Sequence, residues 1–280
     1  MRVILIAFLC SLLPMAEAEI MNDVQHALMP DEYQEIIVGE SSFPVFDTPS
    51  SLPLTLGVAF IFADDSASGF SLFDAQHLSS SLNEKGWRTV IFPLFLNASV
   101  ADQISAETAE ISDPETQINA REDSRKMIAD YTDIQQQLML IMNQLYQFSD
   151  STAGFRLVIA SGMTAAQLID LGANARIAAP DTMVSIFPYW PHYSINQALP
   201  SLVAQTPFPL LDISYAQQNP WDEKTAQQRE TLARSSLKLH YRQRRLASPH
   251  IHHPTTQNQQ PPHIQLLAGQ ILGWTRYLGW

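Results

Sequence analysis

The residues able to do nucleophilic chemistry in this chain are few, and they fall in separate stretches. Ser161 and Thr164 bracket Gly162 and Met163 in the phrase Ala160-Ser161-Gly162-Met163-Thr164-Ala165, directly after the apolar run Leu157-Val158-Ile159. A hydroxyl at such a place attacks only if a base removes its proton, and histidine suits that task near neutral pH. His250, His252 and His253 crowd one phrase, Pro249-His250-Ile251-His252-His253, and are the candidate bases. Asp222 is a carboxylate that could orient one of them, and it reads equally well as the N-cap of the helix that follows. Asp212 lies inside an apolar strand pattern and is expected to satisfy buried donors. The pair Asp64-Asp65 follows the run Gly57 to Phe62 and is a candidate polar wall for a ligand.

The histidines raise the question of a metal. His250, His252, His253 and His263, with Asp64 or Asp65, make a conceivable zinc set, yet His-x-His-His on a loop is not the spacing of a zinc site. No metal is assigned, and no cofactor is expected. Cys10 is the only cysteine, so thiolate chemistry has little to stand on. Neither a Gly-x-Gly-x-x-Gly phrase nor a Walker sequence occurs, which removes support for nucleotide binding. The net charge is −12, and it is unevenly spread. Residues 99–150 hold ten acids and three bases, whereas 220–280 hold three acids and eight bases. Arg242, Arg244 and Arg245 read as a solvated strand face, too small to make the protein a nucleic-acid binder.

Stepping outward from these residues, periodicity predicts the elements that must position them. Met1 and Arg2, an apolar run from Val3 to Leu13, and Ala16-Glu17-Ala18 have the parts of a secretory signal peptide. The run is shorter than the roughly 20 residues a membrane span needs. Cleavage is expected after Ala18, with residues 19–280 forming a single exported, periplasmic domain without a transmembrane span. Hydrophobic content of 46% agrees with a packed globule. Glu35 to Val38 and Phe43 to Phe46 read as a hairpin. Continuous apolar runs at 57–62, 89–92, 156–160, 182–187 and 209–214 read as strands buried on both faces. Helical spacing covers Phe70 to Lys85 with Gly86 as its cap, then Glu115 to Phe148, Thr164 to Leu171, Glu223 to Ser235 and His263 to Tyr277. An acidic excursion spans Ser99 to Asp113, an amphipathic segment covers Ile195 to Val203, and Leu239 to Leu246 reads as an edge strand. Alternating strands and helices make a parallel sheet with right-handed crossovers.

That plan, with its late C-terminal helix, resembles an α/β-hydrolase. The phrases Leu82-x3-Gly86-Trp87-x-Thr89, Phe155 to Gly162, Pro209-Leu210-Leu211-Asp212-Ile213, His240-Tyr241-Arg242-Gln243 and Leu272-Gly273-Trp274 resemble, in order, a functionally uncharacterised family of bacterial envelope proteins with an α/β-hydrolase-like fold. The resemblance runs from about Glu32 onward. The expected fold is α/β, with a mostly parallel central sheet, helices on both faces and a small N-terminal β-hairpin.

The resemblance also implies where catalysis would sit. An α/β-hydrolase carries its nucleophile on a strained strand-to-helix elbow, Gly-x-Ser-x-Gly. Laid strand on strand, that position falls on Gly162, which has no side chain. Ser161 lies one residue early and Thr164 two late; both read as capping residues, with Ser161 at the turn and Thr164 at the helix start. The triad acid belongs in the loop Ala216 to Trp221, which has no carboxylate before Asp222. The base belongs near His250, His252 and His253. Asp64 and Asp65 stand where an oxyanion would need donors, and their charge would repel it. The expected role is therefore non-catalytic: binding or scaffolding toward an envelope ligand or protein, with Asp64, Asp65, Gly162, Met163, Tyr189 and Trp190 as the contact candidates. The alternative is an esterase-like hydrolase with Ser161 or Thr164 as a displaced nucleophile and a histidine of the 250–253 cluster as base.

Overall fold

Each continuous apolar run becomes a strand of one sheet. The computed structural model describes residues 33–39, 41–64, 70–94, 120–216, 219–247 and 261–280. The expected leader, the acidic excursion, Asp65, His250, His252 and His253 lie outside the described residues. The strands are β1 (Gln34–Val38), β2 (Ser41–Thr48), β3 (Gly57–Asp64), β4 (Trp87–Leu94), β5 (Phe155–Ser161), β6 (Thr182–Ile186), β7 (Leu210–Tyr215) and β8 (Tyr241–Leu246). Their order across the sheet is β1-β2-β4-β3-β5-β6-β7-β8. The strands from β3 to β8 are mutually parallel. The expected hairpin is β1 against β2, with Gln34 opposite Val45, and β2 then joins the sheet antiparallel to β4, with Phe46 opposite Ile91.

The helices are α1 (Leu72–Asn83), α2 (Ala120–Phe148), α3 (Gly162–Ala173), α4 (Tyr193–Gln205), α5 (Pro220–Ser235) and α6 (Pro262–Tyr277). Strand periodicity sorts the core into two layers. Along β3, Val58, Phe60 and Phe62 pack with Ile134, Leu138 and Leu145 of α2 and with the apolar side of α3. Ala59, Ile61 and Ala63 turn the other way, toward Leu78 and Leu82 of α1 and Ile264, Ile271 and Trp274 of α6. All eight residues of β3 are buried, which is why its sequence shows no alternation: both faces are covered.

Of the helix boundaries that differ from expectation, two are set by capping residues. The residue capping α1 is Glu84, and Gly86 lies two positions beyond it with its N–H on the Asn83 carbonyl. The fifth helix starts at Pro220 instead of Glu223, because Asn219 caps it and proline suits the first helical position.

The seam between β3 and β5 depends on a close backbone approach. Gly154, just before β5, has φ +108, and a Cβ there would lie 2.2 Å from the Leu56 carbonyl oxygen. The neighbour is backbone and cannot rotate away. Gly154→Ala is therefore expected to cost on the order of 3 kcal/mol in chemical denaturation. A loss within about 0.5 kcal/mol, the range of a surface substitution, would mean that this seam relaxes freely.

Candidate functional site

The phrase that opens the chemical argument lies at the carboxyl end of a central strand. Chain direction reverses sharply between β5 and α3: Ser161 is extended at φ −119, ψ 161, and Gly162 follows with φ +55. The left-handed conformation is one that glycine adopts without penalty. The elbow geometry is present, and the residue at its apex has no side chain. A Cβ at Gly162 would lie 3.3 Å from Tyr189 Cε1 and 3.6 Å from Phe187 Cε2. Two aromatic rings thus border the space into which a nucleophile's side chain would project.

The hydroxyls beside the apex are withdrawn. Ser161 is fully buried, and its Oγ has no hydrogen-bond partner among the described residues. It occupies the N-cap position of α3, yet its side chain makes no capping bond, so the expected capping role is corrected. Its extended backbone, at the last position of a buried strand, directs the side chain into the core. Thr164 does not start the helix as expected; α3 begins at Gly162, and Thr164 is buried in its first turn. Met163 is buried with the core layer of α2 and α3.

The segment after β6 closes over the elbow. Phe187 takes φ +39, a conformation that bulky residues rarely hold, and its N–H donates to the Ile213 carbonyl at 2.6 Å. Tyr189 N–H then donates to the Gly162 carbonyl at 3.3 Å. Burial raises the pKa of the Tyr189 hydroxyl, and the nearby Asp64 charge pushes in the same direction. A hydrogen bond with the Asn219 side chain opposes them. Asp64 ends β3 and is 6% exposed. Asp64, Tyr189 and Asn219 therefore converge from three segments onto the carboxyl edge of the sheet. Asn219 had no role in the sequence reading; its place just after the β7 loop is the signal that could have found it. Trp190 turns inward: its ring meets Tyr131 edge-on at 4.9 Å, and Asn196 holds its backbone N–H at 3.0 Å.

Asp222 is neither an N-cap nor free to orient a histidine. Asn219 is the cap, accepting from Trp221 N–H at 2.8 Å. Asp222 lies in the first turn of α5, 1% exposed, with Oδ1 2.6 Å from Arg229 Nη2. Arg229 is completely buried and also meets Asp212, Nε to Oδ2 at 2.8 Å and Nη2 to Oδ1 at 3.3 Å. Tyr241 and Gln243 of β8 donate to the same Asp212 Oδ2 at 2.8 and 3.1 Å. The expectation that Asp212 satisfies buried donors agrees with this geometry. Arg229 was missed, although Asp222, Thr225 and Arg229 share one helical face by spacing.

Burial raises the Asp222 carboxyl to about 6, against the opposing pull of the Arg229 charge. Oδ2 of Asp222 is buried without a partner among the described residues. His263 pairs with Asp74 at 3.2 Å. Among the described residues no group of three or more histidines, cysteines or carboxylates is placed to hold a metal. Arg242 is not simply solvated: its guanidinium lies over the Tyr277 ring at 4.3 Å. Arg245 reaches Glu223 at 3.5 Å.

Most of the chain is similar in fold to several solved structures. A dienelactone hydrolase from Anabaena variabilis superposes with a TM-score of 0.51 at 16% identity, covering 88% of this chain and 98% of that one. A carboxylesterase from Lactobacillus plantarum gives 0.56 at 9% identity, over 89% and 97%. An α/β serine hydrolase homologue from Coxiella burnetii gives 0.51 at 11%, over 87% and 97%. At these identities the likeness is one of fold. No curated protein matches the sequence. Residues 13–275 match the family described as Protein of unknown function (DUF3530).

The buried cluster makes two predictions. Arg229→Met leaves two carboxylates buried without their cation and is expected to cost about 3–5 kcal/mol in denaturant unfolding. Asp222 has a folded pKa raised from 3.8 to about 6, so the folded state binds its proton more tightly than the unfolded chain does. Its stabilising contribution is complete below pH 4 and is lost as pH rises through 6. Asp222→Asn should flatten that fall in a stability–pH series between pH 4 and 6; an unchanged slope would assign it to other groups.

Proposed function

We propose, for a chain that belongs to the DUF3530 family of proteins of unknown function, an exported α/β-hydrolase-like protein that binds an envelope ligand or protein partner without turning it over. The observation that carries this reading is the apex of the elbow. Gly162 holds the left-handed turn with no side chain, and Tyr189 and Phe187 border the space a nucleophile would need. The neighbouring hydroxyls support it, since Ser161 and Thr164 are both buried. Asp222, the carboxylate nearest the triad acid's place in the chain, is bound to Arg229. What remains at the carboxyl edge is a recognition surface: the Asp64 carboxylate, the Tyr189 hydroxyl and the Asn219 amide. Open α/β sheets bind their ligands at that edge.

One observation favours a second reading. The Ser161 hydroxyl is buried beside the elbow without a partner, and an orphaned hydroxyl there is what a displaced nucleophile would look like once a histidine reached it. The same experiment separates the two. Purified protein is treated with a fluorophosphonate probe and its intact mass is read. The binding reading expects no adduct on protein whose circular-dichroism spectrum is folded. A stoichiometric adduct that disappears in Ser161→Ala or Thr164→Ala overturns it in favour of a hydrolase. The export component is checked separately: protein recovered from the periplasm should begin at Glu19, and a chain retaining residues 1–18 contradicts cleavage.

A further inference from the structure

The turn that joins α5 to β8 is built inside out. Helix α5 ends in a Schellman arrangement: Lys238 N–H donates to the Ala233 carbonyl at 3.0 Å, and Leu237 N–H to the Arg234 carbonyl at 3.1 Å. The left-handed position of that motif is usually glycine, but here it is Leu237, with φ +55. Leu237 is 85% exposed, and Leu239, two residues on, is 80% exposed. Between them the charged residue goes inward: Lys238 Nζ donates to the carbonyls of Thr206 and Phe208. A turn made for stability alone would carry glycine at 237 and would point its lysine outward and its leucines inward. His240 is also left-handed, at φ +53, so the backbone that presents the leucines is held in two unfavourable conformations.

Charge around the turn is one-sided. Residues 231–280 contain no aspartate or glutamate and six Lys and Arg residues, in a chain whose net charge is −12. Arg276 and Arg244 are exposed, Arg234 is exposed and paired with Glu230 at 2.6 Å, and Arg242 lies over Tyr277, which is 54% exposed. Projecting leucines, a half-exposed tyrosine and a rim in which bases outnumber acids are the features of a surface that docks on anionic lipid.

We propose that the 236–240 turn, with Leu237 and Leu239 as apolar anchors and the surrounding arginines as the electrostatic rim, docks this protein on the surface of an anionic lipid bilayer. The turn lies at the amino end of β8, and the parallel sheet puts the Gly162 elbow at the opposite, carboxyl edge. Docking by this end leaves the elbow facing away from the lipid.

The test places an environment-sensitive nitrobenzoxadiazole label on the chain from Glu19 to Trp280, which contains no cysteine, through Leu239→Cys. Ser194→Cys, exposed at the start of α4 near the elbow edge, is the control position. Vesicles containing phosphatidylglycerol should shift the emission at 239 to the blue and leave 194 unchanged. Phosphatidylcholine vesicles, or 0.5 M salt, should abolish the shift. Adding Leu237→Gly should weaken the apparent vesicle affinity by about tenfold while raising Tm, because glycine relieves the left-handed strain. An unchanged emission at 239 with anionic vesicles overturns the proposal. A shift that needs no vesicles and grows with protein concentration assigns the surface to a second copy and overturns it too. A fall in Tm with Leu237→Gly would make Leu237 a structural residue and remove the argument for an anchor.

Discussion

Arg229 lies with no solvent exposure between the carboxylates of Asp212 on β7 and Asp222 on its own helix, α5. A guanidinium so buried is costly unless every donor is met. Here Asp212, Asp222, Ser214 and Thr225 meet them. Asp212 Oδ2 also accepts from Tyr241 and Gln243 of β8. The last strand is therefore attached to the core through polar bonds as well as through its ladder with β7. That explains how a sequence as charged as Tyr-Arg-Gln-Arg-Arg-Leu stays in the sheet. One cation facing two carboxylates would leave a net negative charge in the interior. Burial first, and the Asp212 charge after it, raise the Asp222 carboxyl, so the proton that would neutralise the cluster is held more readily there than in water.

The same cluster limits what the carboxyl edge can do. In the fold this chain resembles, a carboxylate following β7 orients a histidine; here the first carboxylate after β7 is committed to Arg229. Arg229 also comes within 3.5 Å of the Pro188 carbonyl, on the segment that lays Tyr189 over the elbow. The ion cluster and the aromatic cover of Gly162 are thus physically adjacent. One connected set of contacts holds Asp222 on Arg229 and Tyr189 beside Gly162.

The layered architecture was legible because burial on both faces writes itself as uninterrupted apolar runs: five of the six parallel strands carry such a run. The hairpin was legible from two short runs around a turn. Helix boundaries were less so, since α3 begins on Gly162 through a backbone conformation that no periodicity reveals. The elbow's glycine was readable by laying strand on strand. Of its aromatic border, Tyr189 was a contact candidate from sequence, whereas Phe187, with its positive φ, was not. Asp222 was read as a cap from its type and its nearness to a helix start. Its true partner lies seven residues on, and the strand carboxylate that completes the cluster is ten residues before it. Charge pairs buried across elements leave only a faint mark in sequence, a carboxylate inside an apolar strand.

Strain in this protein gathers at both ends of the sheet, and the two ends differ in what accompanies it. At the carboxyl edge, Phe187 and Gly162 depart from ordinary backbone beside a buried serine hydroxyl, and the strained Phe187 is itself covered, at 4% exposure. At the amino edge, Ala175 and Leu237 both occupy left-handed positions after helices. Ala175 is unremarkable: a small residue whose neighbour Arg176 reaches Gln135 at 3.0 Å. Leu237 adds a large exposed apolar side chain to the same conformational cost, and its neighbour Lys238 is turned inward. Conformational strain is common to both turns and so explains neither. The inversion of polarity is peculiar to one of them, and it works against folding in water twice over, through the exposed leucines and through the half-buried lysine.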